Sequence, residues 1–483
     1  MKPRVLLFNP YAASVTHHET ALEMALEFRE KGYEPHFVTC QATLPTCDFN
    51  PPHDRLACIR CVSLSNNSLD LIGVGKSHRH VIRLGPSIDP DAIPRFSHVN
   101  ELKAYKVDGI PVGEGVAYSI IVGFTRDSEP DMEKFRFYYL KAIPMYLSIV
   151  NALEKMLREL RPELLYLFHG HSTVYAAARV AADRAGVKYV VGERASSKEY
   201  VLTHGFGGLD LEHVVGELDQ ALKTMSTDPN GEEIGASWFR SSRGGGLDLM
   251  FNFVRDQTMG ALPPGFDPNK RNIAIFGSSE DEMQAVARFK NPWFAHQFEG
   301  ISYVTEKISD PQIHFYLRVH PNLKNPHCAQ RRRLDKLHSP NLTVIDTHSS
   351  IDSYALMASC EKVLTFGSTM GVESAYWGAP SVLAGRAFYE KLNVSYVAKS
   401  RENLLELLRA NLEPLPKTNA LAYGYWCKKR AIPFRHVVPA PFSSGLNGTF
   451  RGAPIRISRA AGVLFRLVNL WYNFRKHKPY DAT

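Results

Sequence analysis

The chain has 483 residues, 44% of them apolar and 11% aromatic, which is enough to bury large cores and more than one core usually supports, so two domains are expected. A net charge of +8 points to anionic partners such as nucleotide phosphates, an acidic glycan or an anionic membrane face. Nucleic acid fits poorly, because the longest basic run is Arg331-Arg332-Arg333 and no nucleic-acid module is recognisable. No apolar run approaches membrane-spanning length, and the opening MKPRVLLFNP reaches polar residues too soon for a signal peptide, so a cytoplasmic location is expected.

The first strand is expected over Arg4–Phe8, broken by Asn9-Pro10-Tyr11. His17-His18-Glu19 lead into a helix over 20–31 with Ala21, Met24, Ala25 and Phe28 on one face. Gly32 caps it and 36–39 forms the next strand, the βαβ opening of a Rossmann-like domain. Cys40, Cys47, Cys58 and Cys61 follow, four of the chain's seven cysteines. In a cytosolic protein such clustering favours metal ligation or redox chemistry over disulfides. Cys58 and Cys61 form a C-x-x-C pair, Cys40 and Cys47 would close a tetrahedral zinc site, and His53 is a spare ligand. An iron–sulfur cluster and unliganded thiols are the alternatives.

Between 69 and 131 helical and loop signals alternate, broken by Pro86, Pro90, Pro94 and Pro111. A long helical pattern over 134–160 is stopped by Pro162, and Leu164–Phe168 reads as a strand. It ends in His169-Gly170-His171-Ser172, ahead of an Ala-rich helix over 174–185, a Gly186 cap and a strand over 187–191 that runs into Gly192-Glu193-Arg194. These two strand ends should lie side by side at the carboxyl edge of one sheet. His169, His171 and Glu193 are there as candidate general bases, and Arg194 as a candidate holder of an anionic group. The basic, Gly-rich SWFRSSRGGG at 237–246 reads as a surface loop, with a mobile lid as the alternative. GALPPGFDPNK is a linker. The boundaries are therefore 1–258 for the first domain, 259–271 for the linker, 272–420 for the second domain and 421–483 for a segment that crosses back.

In the second half, the strand over 272–276 ends at Gly277-Ser278-Ser279-Glu280. The strand IHFYLRV ends at His320-Pro321-Asn322. Over 363–385, VLTF stops at Gly367-Ser368-Thr369, a helix runs from Met370 to Trp377, and Gly378-Ala379-Pro380 precedes a further apolar run. A turn of small residues feeding a helix aims backbone N–H groups and the positive end of the helix dipole at one spot, a phosphate site. Ser368 and Thr369 add hydroxyl donors, His320 and Arg318 a cation or donor, and Glu373, one turn into the helix, a carboxylate suited to the hydroxyls of a ribose. The alternative is an ordinary βαβ crossover with a well-capped helix. A last helix, basic and amphipathic, is expected over 455–477; it would lie on an anionic membrane or dock on the first domain.

The His-Pro pair after one strand, followed by Ser-Thr and a helical Glu, resembles the donor half of GT-B glycosyltransferases. It is most similar to bacterial capsule polysaccharide biosynthesis proteins, including sialyl- and Kdo-transferase-like members. The resemblance covers 272–385 well and the first half loosely. It implies an α/β, GT-B-like fold of two Rossmann-like domains with parallel sheets facing a cleft, a CMP- or UDP-sugar donor, and a glycan or lipid-linked glycan acceptor of capsule or lipopolysaccharide. It also implies that the loop after the first strand faces the acceptor, which makes His17 and His18 candidate bases, His18 the preferred one. Gly277, Ser278, Arg318, His320, Pro321, Gly367, Ser368, Thr369 and Glu373 would bind the nucleotide-sugar. Asp89-Pro90-Asp91 matches the D-x-D of the other glycosyltransferase fold but lies between prolines and reads as a loop, so catalysis is expected to need no metal. The resemblance is compatible with a peripheral position on the inner face of the plasma membrane. A nucleotide-sugar 2-epimerase, a polyol-phosphate transferase and a non-catalytic assembly protein of the same fold are the alternatives.

Overall fold

The computed structural model describes residues 2–207, 209–244, 254, 256–286, 289–323, 328–442, 447–458 and 462. Its contacts divide the chain into two units. Unit 1 comprises Met1–Ser119, Asp131–Gly208 and Ile432–Thr483, and unit 2 comprises Ile120–Pro130 and Leu209–Ala431. No helix among the described residues is long and apolar enough to cross a membrane. The helix expected over 455–477 lies almost wholly outside the described residues.

Unit 1 is built on the strands β1 (Arg4–Phe8), β2 (Glu34–Thr39), β3 (Arg79–Val81), β4 (Leu164–Phe168), β5 (Lys188–Arg194) and β6 (Glu199–His204). The apolar runs of β1 and β4 are buried along nearly their whole length, as central parallel strands covered on both faces must be. β3, β2, β1, β4 and β5 lie side by side in that order and in parallel. This is the order of a doubly wound sheet, whose direction of winding reverses between β1 and β4. Sequence reading ended β5 at residue 191; it continues through Glu193 and Arg194 and turns into the antiparallel β6, with Glu193 opposite Val201.

The chain returns to this unit at its far end. Ile432–Pro433 pairs antiparallel with β6. The next residues are held by the helix Val15–Glu30, whose Glu19, Glu23 and Glu27 are buried four residues apart on one face. Glu23 accepts the backbone N–H groups of Arg435 (2.8 Å), His436 (3.1 Å) and Val437 (2.7 Å). Glu27 takes the Arg435 guanidinium at 2.5 Å, and Glu19 takes the N–H of Gly448 at 2.5 Å and the Arg194 guanidinium at 3.3 Å.

Unit 2 contains β7 (Arg271–Phe276), β8 (Ile313–Arg318), β9 (Leu342–Ile345), β10 (Lys362–Thr365), β11 (Ser381–Leu383) and β12 (Tyr396–Val397). They are ordered β12-β11-β10-β7-β8-β9, every pair parallel. Counted within the unit this is 3-2-1-4-5-6, the Rossmann order, with its switch point between β7 and β10. The described residues among 209–258, assigned to the first domain from sequence, fall in unit 2 instead. The helices Leu211–Thr227, Gly231–Arg243 and Lys417–Arg430 share one apolar cluster with Met370–Trp377. Gly235 and Gly424 permit that crossing: a Cβ on Gly424 would sit 2.2 Å from the Gly235 carbonyl oxygen. The stretch read as a loop at 237–246 is helical as far as Arg243, because Phe239 is fully buried on this face.

Candidate functional site

Strand register sets the rim of unit 2. Phe276 pairs with Arg318 and with Thr365, so β7, β8 and β10 end at one level. The residues that follow, Gly277-Ser278, Val319-His320 and Gly367-Ser368, therefore emerge together at the carboxyl edge, where open α/β sheets bind ligands. They line one cavity of about 450 Å³, along with Arg318, Pro321, Thr369 and Glu373. All nine residues expected to bind a nucleotide-sugar thus meet at a single place.

Their individual states differ from the sequence expectation. The Nδ1 of His320 accepts the Asn322 N–H at 3.1 Å, so the ring carries its proton on Nε2. Burial pulls this imidazole down to about 4, which makes it a neutral donor at pH 7 rather than a cation. The Arg318 guanidinium lines the cavity, and its buried Nε has no protein partner among the described residues. It donates to the main-chain carbonyls of Asp346 (2.6 Å) and Ser349 (3.0 Å) and so braces the loop after β9. Ser278 is buried, and its hydroxyl oxygen has no protein partner among the described residues. Such an orphaned group on a cavity wall is what a ligand oxygen would satisfy.

The turn after β10 is held from behind. Tyr389 donates its hydroxyl to the Ser368 carbonyl at 2.6 Å, and Ser368 Oγ accepts the Met370 N–H at 3.3 Å. The N–H groups of Gly371, Val372 and Glu373 go to the Ser368 and Thr369 carbonyls, so the amides that remain to meet an anion are those of the turn itself. Gly367 has φ +138°, a conformation that other residues rarely adopt, and a Cβ there would lie 3.0 Å from the Arg386 carbonyl oxygen. Glu373 is buried and held by three hydroxyls: Thr369 Oγ1 at 3.2 Å, Ser242 Oγ at 3.3 Å and the Tyr354 hydroxyl. Burial pushes its carboxyl up despite these donors.

Ser242 and Trp238, on the helix Gly231–Arg243, also line the cavity, and sequence reading missed both. Their i, i+4 spacing was the available signal. At the rim, Arg126 pairs with Asp281 (3.2 Å) and Glu282 (2.7 Å), offsetting carboxylates that would otherwise repel an anion.

Unit 1 has its own cluster at its switch point. The His17 ring stacks on Phe168 with centroids 4.0 Å apart, and its Nδ1 lies 3.3 Å from the Tyr175 hydroxyl. His169 has its centroid 6.4 Å from His17 and 5.4 Å from His171. Burial holds all three imidazoles below their usual range, and His169 adds to this at His17 and His171. His18, the preferred base, points elsewhere. It is 1% exposed, paired with the Asn9 side chain at 2.8 Å and pulled by burial to about 4. His17 is the member that joins the cluster. Glu193 sits next to Gly192, whose carbonyl accepts the His169 N–H at 3.0 Å. Arg194 is spoken for as a buried partner of Glu19, so it is not placed to hold a ligand anion.

Cys40, Cys47, Cys58 and Cys61 line one cavity of about 50 Å³. Cys58 and Cys61 lie on the helix Arg55–Leu71. The thiols of Cys47, Cys58 and Cys61 are pushed up, chiefly by burial. Among the described residues, the groups whose ligand atoms lie within 4.8 Å of one another are Glu34–His36–His78 and Glu23–Glu27–His436, without the cysteines. The thiols share a cavity but are not drawn into a tetrahedral set.

Two doubly wound α/β units, one with a cavity at its switch point, define the class: a two-unit Rossmann-like protein. No family model and no curated protein matches the sequence. Among solved structures, the chain is similar to the β-Kdo 2,7 transferase KpsC of Thermosulfurimonas dismutans, at 16% identity over 66% of this chain and 89% of that one, TM-score 0.38. It is also similar to the UDP-GlcNAc 2-epimerase of Neisseria meningitidis bound to UDP-GlcNAc, at 12% identity over 86% and 97%, TM-score 0.29. At these scores the likeness carries no weight for activity, and the fold stated here rests on strand order.

Proposed function

We propose that the protein is a glycosyltransferase whose nucleotide-sugar donor binds in unit 2. One observation carries the reading: three chain segments far apart in sequence put Ser278, His320, Ser368 and Thr369 on the wall of one cavity at the switch point of a 3-2-1-4-5-6 sheet. The turn amides, the three hydroxyls and the His320 Nε2–H would grip the departing phosphate and oppose the charge that grows on its oxygens. Glu373 would accept from the ribose hydroxyls, exchanging them for its present Thr369 and Ser242 partners. Aromatic side chains on the same wall, Trp238, Phe289 and Phe388 among them, would cover the base. The acceptor hydroxyl would lose its proton to a neutral imidazole, for which His17, His169 and His171 are the candidates. Donors of the CMP- and UDP-linked classes and a capsule or lipopolysaccharide acceptor are the substrates this reading favours, with no metal needed at the phosphate.

A thermal-shift screen of CMP, UDP and their sugars tests the donor site, because a ligand of the native state raises its melting temperature. Release of free nucleotide only in the presence of an acceptor supports transfer. Conversion of the sugar-nucleotide alone, without release, would instead mark an epimerase.

A further inference from the structure

At the opposite, amino edge of the unit 1 sheet, three imidazoles and a carboxylate converge. Glu34 and His36 alternate on the first residues of β2, and His78 and His80 flank the start of β3. His36 Nε2 lies 3.3 Å from Glu34 Oε2, and His78 Nε2 lies 3.3 Å from Glu34 Oε1. These ligand atoms all fall within 4.8 Å of one another. Behind them His80 Nε2 meets His36 Nδ1 at 3.0 Å, with the two rings nearly parallel.

We infer that Glu34, His36 and His78 form a binding site for a divalent transition-metal ion of the zinc, cobalt or nickel class, with His80 as the partner that orients His36. Two imidazole nitrogens and a carboxylate oxygen suit borderline ions, and water would complete the shell. In the metal-free chain, His80 donates Nε2–H to His36 Nδ1 and His36 donates Nε2–H to Glu34. When the ion binds, both rings change tautomer: His80 shifts its proton from Nε2 to Nδ1, and His36 shifts its own from Nε2 to Nδ1 and donates it to the freed His80 Nε2, which leaves the His36 Nε2 lone pair for the metal. A histidine ligand that donates its other ring N–H in this way is the usual arrangement around a bound ion. Glu34 and His78 are each about one-third exposed, so the ion has a path in. The resident competitor is Arg4, whose Nε lies 3.6 Å from Glu34 Oε2 and which also donates to the Leu160 carbonyl.

The site lies at the start of β2, roughly 16–20 Å along the strand from its carboxyl end at 3.3 Å per residue. Its role is therefore structural or regulatory, a staple between β2 and the three-residue edge strand β3. In the other compact group, Glu23–Glu27–His436, the two carboxylates already accept from the N–H groups and guanidinium described above.

The test uses the full-length protein stripped of metal and titrated with Zn2+ by calorimetry and with Co2+ by absorption. One equivalent should bind, with weak visible bands and no sulfur-to-cobalt charge-transfer band in the near ultraviolet. His78→Ala and Glu34→Gln should each weaken binding by about tenfold or more, while Cys58→Ser/Cys61→Ser leaves it unchanged. Zinc should raise the melting temperature of the wild type and not of His78→Ala. Failure of the wild type to bind, unchanged affinity in both His78→Ala and Glu34→Gln, or a thiolate charge-transfer band would overturn the assignment. None of these outcomes depends on nucleotide binding.

Discussion

Replacing His320 by alanine tests the proposed donor site most directly. The ring is partly buried, neutral, and turned by the Asn322 N–H so that Nε2 carries the proton. A neutral N–H donor to an anionic phosphate is a charge-assisted hydrogen bond, worth about 1.5–3 kcal/mol. Its loss should weaken nucleotide binding by about 10- to 150-fold. Because the contact between the ring and the Asn322 N–H lies within its own turn, the fold should survive, which far-ultraviolet circular dichroism would check. Calorimetric titration with the nucleotide found in the thermal-shift screen gives the affinity. Arg318→Ala is the contrast: its guanidinium braces carbonyls of the loop after β9, so stability should fall more than contact with phosphate is lost. If the wild type binds a nucleotide and His320→Ala binds it equally well, the imidazole does not touch the phosphate and the proposed grip is wrong.

Three further outcomes follow from the same geometry. Glu23→Ala strips the acceptor from three backbone N–H groups, one of them fully buried, at about 1–3 kcal/mol for each group left unsatisfied; the urea midpoint of unit 1 should drop sharply, and an unchanged midpoint would refute the clamp. Gly371→Ala would bring a Cβ to 2.2 Å from the Tyr389 hydroxyl, which holds the Ser368 carbonyl, so nucleotide affinity should fall by about tenfold or more even though residue 371 is not on the cavity wall. His18 and His320 are buried neutral with folded values of about 4 against an ordinary 6.5. Between those values the unfolded chain binds more protons, so stability is full above about pH 6.5 and lost as pH falls toward 4, by up to about 3 kcal/mol for each ring. Equal stability at pH 7 and pH 4.5 by urea denaturation would contradict their neutral burial.

The strand ends were legible because they are local. RVLLF, LLYLF and VLTF are apolar runs cut off by turn residues, and no distant contact is needed to see where they stop. What comes after such a strand in a doubly wound sheet must emerge at the ligand edge, so the segments that line the cavity followed from pattern, and the resemblance completed the set of nine residues. The failures are long-range. Whether the helices Leu211–Thr227 and Gly231–Arg243 pack on one sheet or the other depends on a crossing with Lys417–Arg430, some 180 residues on, through Gly235 and Gly424. The choice between His17 and His18 turned on which neighbour lies inward, and the Asn9 contact that settles it is not encoded in helical spacing. That Arg318 also braces the loop after β9 was not legible, because its carbonyl partners belong to a loop with no sequence signature. Glu34, His36, His78 and His80 went unremarked because only the pairing of β2 with β3 joins them.

The row of acidic side chains on the helix Val15–Glu30 has a bearing on how the molecule is made. Its donors sit at 435–448, beyond the whole of the second unit, so the first unit cannot be completed until the second has been synthesised. A chain cut near residue 431 would strip Glu23 and Glu27 of the partners described above, leave Glu19 with Arg194, and leave an edge strand without its neighbour. The second unit, contiguous but for one short stretch, has no such wait and is poised to fold first.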